Sequence, residues 1–257
     1  EVLKALIRDK IVDKVISGEA KRNHFQITPI LESDPKKLEE FPLSQLFIYN
    51  YDRINSASKF LHKKAGGALK EKIAIIGHAC DARAVIELSK RLQVDLGNLF
   101  IVVLEDLGTI QAGDVLKLLK AEGIKEEDVQ DEFLTESEYY IQLKDGTRKS
   151  YRLNEKIDIN DNCNRCHVKK LDKNFDLAIT WITLEPFSHE LVLRIGSEKG
   201  KNLFSKLNIK KKELNAEKVD AFLEKQSNIM ELSRIQQVQD VSEFLSSDHI
   251  EELAKCT

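Results

Sequence analysis

The chain has 257 residues, of which 42% are hydrophobic, and it can therefore bury a sizeable core as one large α/β domain or two small ones. Its 40 basic and 43 acidic residues give a net charge of -3, which offers no electrostatic case for a nucleic-acid binder or a membrane-surface protein. No apolar stretch approaches the roughly 18 residues of a transmembrane helix, and no signal peptide is recognisable, so we expect a cytoplasmic protein without a membrane span.

The N-terminal third begins with apolar residues at helical spacing. They predict an amphipathic helix over residues 2–17 that ends at Gly18. A short strand is predicted around Phe25, and Asp34-Pro35 predicts a new turn or helix.

Residues 72–122 carry the most regular pattern of the chain. Two short apolar runs predict buried strands, and each is followed by a helical pattern: strand Ile73–Gly77, helix Asp81–Gln93, strand Leu99–Leu104 and helix Gln111–Ala121. This order predicts a βαβ unit whose two strands are parallel and buried on both faces.

The remaining third predicts strands and then helix. Tyr139–Leu143 and Lys149–Leu153 flank Asp145-Gly146 and predict a β-hairpin. Further strands are predicted at Phe175–Ile182 and Leu191–Ile195, and helix from Asn215 onward. We therefore predict a mixed α/β (α+β) fold with a parallel βαβ core, an inserted β-hairpin and a helical C-terminal tail. The predicted domains are an α/β domain at 1–196 and a helical region at 197–257.

Four cysteines do not make a disulfide framework and predict free thiols, metal ligands or redox groups. Cys163 and Cys166 are separated by two residues in an Asn- and Asp-rich loop, a spacing that suits zinc, an iron–sulfur cluster or a dithiol pair. The loop context favours a metal, because redox pairs usually open a helix after a strand. His167 is a weaker candidate ligand.

Cys80 follows the first buried strand directly, at the start of the helix, with Asp81 as a candidate N-cap. Ligands bind at the carboxyl ends of parallel strands, and a helix start favours thiolate and phosphate alike. Cys80 is therefore placed to bind a cluster, to act as a nucleophile or to be a buried structural residue. The candidates for cofactor binding at the two strand ends are Gly77, His78, Asp81, Arg83, Gly108 and Thr109.

Three segments, in order, resemble the coenzyme F420 hydrogenase/dehydrogenase beta-subunit family: IAIIGHACDARAVIELSKRLQ, LFIVVLEDLG and DNCNRCHVKKLDKNFDLAITW. The resemblance implies an oxidoreductase subunit of anaerobic metabolism that carries a [4Fe-4S] cluster close to FAD. It implies electron transfer from a hydrogenase, formate dehydrogenase or heterodisulfide reductase-type partner to coenzyme F420 or another carrier. It also implies that Cys80, Cys163 and Cys166 bind the cluster.

The resemblance leaves the fourth cluster ligand open, with Cys256, His167 and a partner residue as candidates. Cys256 is the penultimate residue and could open a ferredoxin-like motif. Two other hypotheses stay open beside the electron-transfer subunit. One is a zinc-stabilised scaffold or adaptor without redox activity, and the other is an enzyme that uses Cys80 as a nucleophile.

Overall fold

The structure, a computed structural model, describes residues 1–20, 25–41, 43–49, 51, 56–180, 186–187, 191–210, 212 and 216–246. The strands are β1 (Lys14–Ala20), β2 (Ile27–Glu32), β3 (Ile73–His78), β4 (Leu99–Glu105), β5 (Val129–Leu134), β6 (Glu138–Leu143), β7 (Arg148–Arg152), β8 (Leu177–Thr180) and β9 (Val192–Ile195). The helices are α1 (Val2–Arg8), α2 (Leu43–Ile48), α3 (Ala57–Lys63), α4 (Ala79–Lys90), α5 (Ala112–Ala121), α6 (Asp161–Asn164), α7 (Glu198–Lys206) and α8 (Ala216–Ser246). Two predicted features, the end of the strand Phe175–Ile182 and Cys256, lie outside these ranges.

Six strands form the central sheet in the order β2-β1-β3-β4-β8-β9. The four inner strands run parallel to one another, and β2 and β9 pair antiparallel at the two edges. Every residue of β3 and β4 is buried, as parallel strands covered on both faces require. The predicted βαβ unit is confirmed, and with it the mixed α/β class.

The helix predicted over residues 2–17 is wrong beyond its first two turns. α1 ends at Arg8, and Lys10 has a φ of 52°, in the left-handed region that ends a helix. The chain then enters β1, where Val15 pairs with Ala74 of β3 on one side and Glu32 of β2 on the other. Pairing with two neighbours satisfies the backbone of this segment, so the sheet overrides the helical spacing of its apolar residues.

A second, three-stranded antiparallel sheet is formed by β5, β6 and β7. The predicted hairpin is confirmed as β6 and β7, and Gly146 in its turn has a φ of 87°. The sequence does not predict β5, because this strand carries the charged residue Glu132 at a fully buried position. The Glu132 carboxylate accepts hydrogen bonds from the hydroxyls of Tyr49 and Tyr139. This buried cluster joins the second sheet to the segment after α2.

The C-terminal region consists of α7 and the 31-residue helix α8. α8 contacts the α/β body at separate points along its length: Lys225 pairs with Glu136 at 2.8 Å, Gln226 donates to Glu105 at 3.1 Å, and Asp240 pairs with Arg165. The helical tail is confirmed as an element, and the division at residue 196 stays a prediction. None of the helices in the described ranges has both the length and the apolar character that crossing a membrane requires.

Candidate functional site

The carboxyl ends of β3 and β4 are joined by a buried pair, His78 and Asp106. His78 Nδ1 lies 2.5 Å from Asp106 Oδ2, and Asp106 Oδ1 accepts a hydrogen bond of 2.7 Å from the backbone N–H of Gly108. The parallel register sets His78 beside Leu104, two residues before Asp106, so the strand pairing itself brings the two groups together. Asp106 is not among the predicted site residues, although it stands two residues after the second predicted strand.

The His78–Asp106 pair holds charge in a buried setting. Burial acts to lower the pKa of His78, but the charge and hydrogen bond of Asp106, together with smaller effects of Asp81 and the Tyr49 backbone, outweigh it, and the net pKa of His78 is raised. His78 Nε2 forms no hydrogen bond of normal geometry with the described residues, although the backbone carbonyl of Tyr49 also favours its charged form. The imidazole therefore favours its protonated form more than its burial alone would allow.

Cys80 lies in the first turn of α4, one residue after the helix begins. The prediction of Asp81 as the N-cap is wrong, and the N-cap is His78. The backbone of β3 stays extended through His78, and helical geometry starts at Ala79. The side chain of Cys80 is exposed, yet enough protein surrounds it that burial raises the pKa of its thiol well above the ordinary range. The Cys80 thiol is thus open to solvent on one side and surrounded by protein on the other.

The other two cysteines act electrostatically on Cys80. After burial, the groups that raise the Cys80 pKa are Asp81, Asp106, Cys163 and Cys166. Cys80 follows β3, and Cys163 contacts Thr109 in the loop after the neighbouring strand β4, so the two segments lie at the same edge of the sheet. That the three sulfurs meet around one centre stays a prediction.

The cysteine loop starts in the single helical turn α6, whose N-cap Asn160 accepts a hydrogen bond of 3.1 Å from the N–H of Asn162. The Cys166 N–H donates to the Cys163 carbonyl at 3.1 Å, which closes the turn between the two cysteines. Cys163 Sγ lies 3.5 Å from Thr109 Oγ1, in the loop after β4. Thr109 thus contacts one of the predicted ligands directly.

Gly108 is the point at which the loop after β4 touches the cysteine loop. Its φ of 119° is a conformation that residues with side chains rarely adopt. A Cβ atom there would stand 2.8 Å from Cys163 Cβ and 2.7 Å from Ile159 Cγ2. The sequence predicts that this glycine takes part in cofactor binding, but the described atoms that approach it most closely belong to Ile159 and Cys163.

The remaining predicted cofactor-binding residues stand in different surroundings. Gly77 packs against Asp81, whose carboxylate oxygen and Cβ would both lie 3.0 Å from a Cβ at the glycine. Asp81 is buried, which raises its pKa, and accepts hydrogen bonds of 3.4 Å from the N–H and hydroxyl of Ser58. Arg83 is exposed on α4, where its charge acts on Glu87. Their roles in cofactor binding stay predictions.

Lys169 is a site residue that the sequence does not single out. It is 7% exposed, and its Nζ donates a hydrogen bond of 2.5 Å to the Cys163 carbonyl. Nothing in the sequence distinguishes it from its neighbour Lys170, which is more exposed. Only the fold, by laying the segment after the cysteines against Gly108, reveals the buried position.

Three cysteine thiols are the donor atoms that the sequence predicts for an iron–sulfur cluster. Within the described ranges, no three His, Cys, Asp or Glu side chains are gathered closely enough to hold a single metal ion. In a cluster each thiolate binds a different iron, so its sulfurs stand farther apart than around one ion. The absence of a single-ion site among the described residues therefore does not contradict the predicted multi-iron centre. His167 is exposed in the loop.

Comparison with known proteins gives this arrangement a context. Residues 70–221, more than half of the chain, match the family described as the C terminus of the beta subunit of coenzyme F420 hydrogenase/dehydrogenase. The F420-dependent formate dehydrogenase 1 subunit beta of Methanococcus maripaludis is 30% identical over 54% of this chain and 38% of its own length. The F420-dependent formate dehydrogenase subunit beta of Methanocaldococcus jannaschii is 26% identical over 69% of this chain and 46% of its own length. The chain thus spans less than half the length of these relatives.

A solved structure shares the fold. A chain of the F420-reducing [NiFe] hydrogenase complex from Methanosarcina barkeri aligns with a TM-score of 0.66 over 94% of this chain and 83% of its own length, at 12% identity. The matched segment 70–221 contains both strand ends and all three described cysteines. The chain belongs to the coenzyme F420 hydrogenase/dehydrogenase beta-subunit family.

Proposed function

We propose that this chain is an electron-transfer subunit of a redox complex, with a [4Fe-4S] cluster held by Cys80, Cys163 and Cys166 and an FAD beside it. The observation that supports the proposal is that Cys80 follows β3 while Cys163 contacts Thr109 in the loop after the adjacent strand β4. Ligands of parallel sheets bind at this edge. When bound, the cluster supplies single electrons, and the flavin joins two of them with a proton into a hydride that a carrier such as coenzyme F420 accepts.

The protein's part is to hold the cofactors and control the charge around them. Thr109 would donate a hydrogen bond to the Cys163 thiolate, which stabilises its negative charge. His78, fixed by Asp106, stands beside Cys80 and presents a favoured positive charge to the same region. Gly77, Asp81, Arg83 and Gly108 complete the flavin-binding set that we propose.

The partner that we propose is the catalytic part of a formate dehydrogenase or hydrogenase complex, because the matched relatives carry these names. A heterodisulfide reductase-type partner and a ferredoxin-like domain beside this chain are further expectations of the family resemblance. A cytoplasmic location and the domain division 1–196 and 197–257 belong to the same proposal.

A spectrum and a metal analysis of protein prepared without oxygen test the cluster. We expect about four irons per chain, a broad absorbance near roughly 400 nm and releasable flavin. Cys163→Ser should remove most of the iron and the broad band, because one thiolate is lost from the centre. Asn162→Ser, one residue away on the exposed side of the loop, is the matched control and should keep both.

The second candidate function is the zinc-stabilised scaffold or adaptor, which the Cys-x-x-Cys turn still favours. One zinc per chain, no visible band, and unfolding by a chelator would support it and contradict the electron-transfer proposal. Protein that holds neither metal nor flavin after anaerobic reconstitution contradicts both.

A further inference from the structure

Lys169 is a buried cation at the cysteine loop. Its side chain is 7% exposed, and a lysine is almost never this deeply buried unless an opposite charge accompanies it. Among the described residues, no carboxylate lies within ion-pair distance of its ammonium. Keeping such a charge away from water is unfavourable unless something compensates for it. The fold therefore contains a positive charge whose counter-charge is not accounted for by the described side chains.

The ammonium occupies the junction of the two loops that carry the proposed site. Nζ donates to the Cys163 carbonyl at 2.5 Å and lies 3.4 Å from the point that a Cβ at Gly108 would occupy. An ammonium has three N–H donors, and this carbonyl is its one partner among the described residues. Because Gly108 has no side chain, the Lys169 ammonium fits beside the turn between β4 and the cysteine loop.

The surroundings of the thiols are rich in negative charge. Asp81 and Asp106 are buried carboxylates just beyond the ends of β3 and β4, and each thiolate of the proposed site would add a further negative charge. A cysteine that binds metal must nevertheless be deprotonated. Several thiolates can coexist here only when positive charge lies close by, in iron or in the protein.

We propose that Lys169 is the counter-cation of the cysteine site and that it raises the reduction potential of the centre held there. Reduction adds one electron and therefore one negative charge, and a fixed cation in a medium of low dielectric constant stabilises the reduced form more than the oxidised form. This inference rests on the proposed function, because it requires a redox centre at the three cysteines. Lys169 does not bind the centre in this proposal and acts on its reduction potential only through its charge.

The test compares reduction of the reconstituted protein at a fixed potential, followed by its visible absorbance and electron paramagnetic resonance. For Lys169→Met we expect the ratio of reduced to oxidised centre to fall roughly tenfold, which corresponds to about 59 mV for a one-electron couple. Lys169→Arg keeps the charge and should titrate near the wild type. Lys173→Met removes the same charge from an exposed position of the same segment and should also leave the ratio unchanged.

Lys169→Gln separates charge from hydrogen bonding, because its amide can still donate to the Cys163 carbonyl but carries no charge. The ratio of reduced to oxidised centre should fall in Lys169→Gln as it does in Lys169→Met. If Lys169→Met does not fold, Lys169→Gln provides the comparison with the wild type. A neutral variant that keeps its iron and titrates like the wild type overturns the inference, and so does an arginine variant that titrates like the neutral ones. Wild-type protein without iron would instead contradict the proposed function, and the inference with it.

Discussion

At Gly108, backbone conformation and packing exclude a side chain for two independent reasons. The φ of 119° is strained for any residue with a Cβ, and the space that a Cβ would fill already belongs to Cys163 and Ile159. This glycine therefore fixes how closely the cysteine loop approaches the end of β4. Its role here is to assemble the site, whichever cofactor the site holds.

Gly108→Ala should destabilise the protein by about 1–3 kcal/mol from backbone strain, with a further cost because Cys163 must move. We expect the same variant to bind less iron than the wild type. Urea unfolding followed by circular dichroism measures the first effect, and metal analysis the second. Gly113→Ala in α5 is the control, since nothing lies within 4 Å of its added Cβ and alanine favours the helix. A Gly108 variant as stable as this control would contradict the packing at the turn.

Some site residues can be predicted from the sequence, and others cannot. Local signals, namely strand ends and the spacing of two cysteines, predict Cys80, Cys163 and Thr109 as site residues, and the structure places Thr109 against Cys163. No such signal marks Asp106 or Lys169, because their importance comes from a partner distant in sequence. The pairing of β3 with β4 brings Asp106 to His78, and the folding back of the loop buries Lys169.

At the scale of elements, a buried ion pair links the edge strand β9 to the end of β4. Glu105 is fully buried and pairs with Arg194, which also donates to the Leu171 carbonyl at 2.8 Å. Gln226 of α8 donates to the same carboxylate at 3.1 Å. The pair therefore sits where the sheet, the segment after the cysteines and the C-terminal helix meet.

Arg194→Met should lower the free energy of unfolding by about 3–5 kcal/mol, because it leaves the Glu105 charge buried without a cation. Adding Glu105→Gln should recover much of this loss, since no uncompensated charge then remains. Lys201→Met, in the exposed pair with Glu198, should cost less than about 1 kcal/mol. Chemical denaturation of the four proteins is the measurement, and equal effects of the buried and exposed changes would contradict the account.

Elements with strong local signals are predictable from the sequence, and those that depend on neighbours are not. The apolar runs of β3 and β4 and the Asp-Gly turn between β6 and β7 are recognisable from a few residues. The apolar spacing of β1 is compatible with a helix as well as a strand. The segment forms a strand because it pairs with β2 on one side and β3 on the other. β5 escapes prediction because Glu132 is stabilised by Tyr49, which lies 83 positions earlier in the chain.

For the whole molecule, the helical C-terminal region bears directly on the cysteine site. Asp240 of α8 pairs with Arg165, which lies between the two cysteines of the loop, and Gln236 donates to the same carboxylate at 2.7 Å. α8 thus contacts the loop itself as well as the end of β4. If 197–257 is a separate domain, as we propose, its contact with the site is part of what orders the cysteine loop.

The central claim is that two distant segments bind one inorganic centre, and an iron-edge anomalous difference map from crystals grown without oxygen tests it most directly. The account predicts one compact peak within bonding distance of the sulfurs of Cys80, Cys163 and Cys166. A map with iron at Cys163 and Cys166 alone, with Cys80 turned away, or with no iron at any of the three, would contradict it.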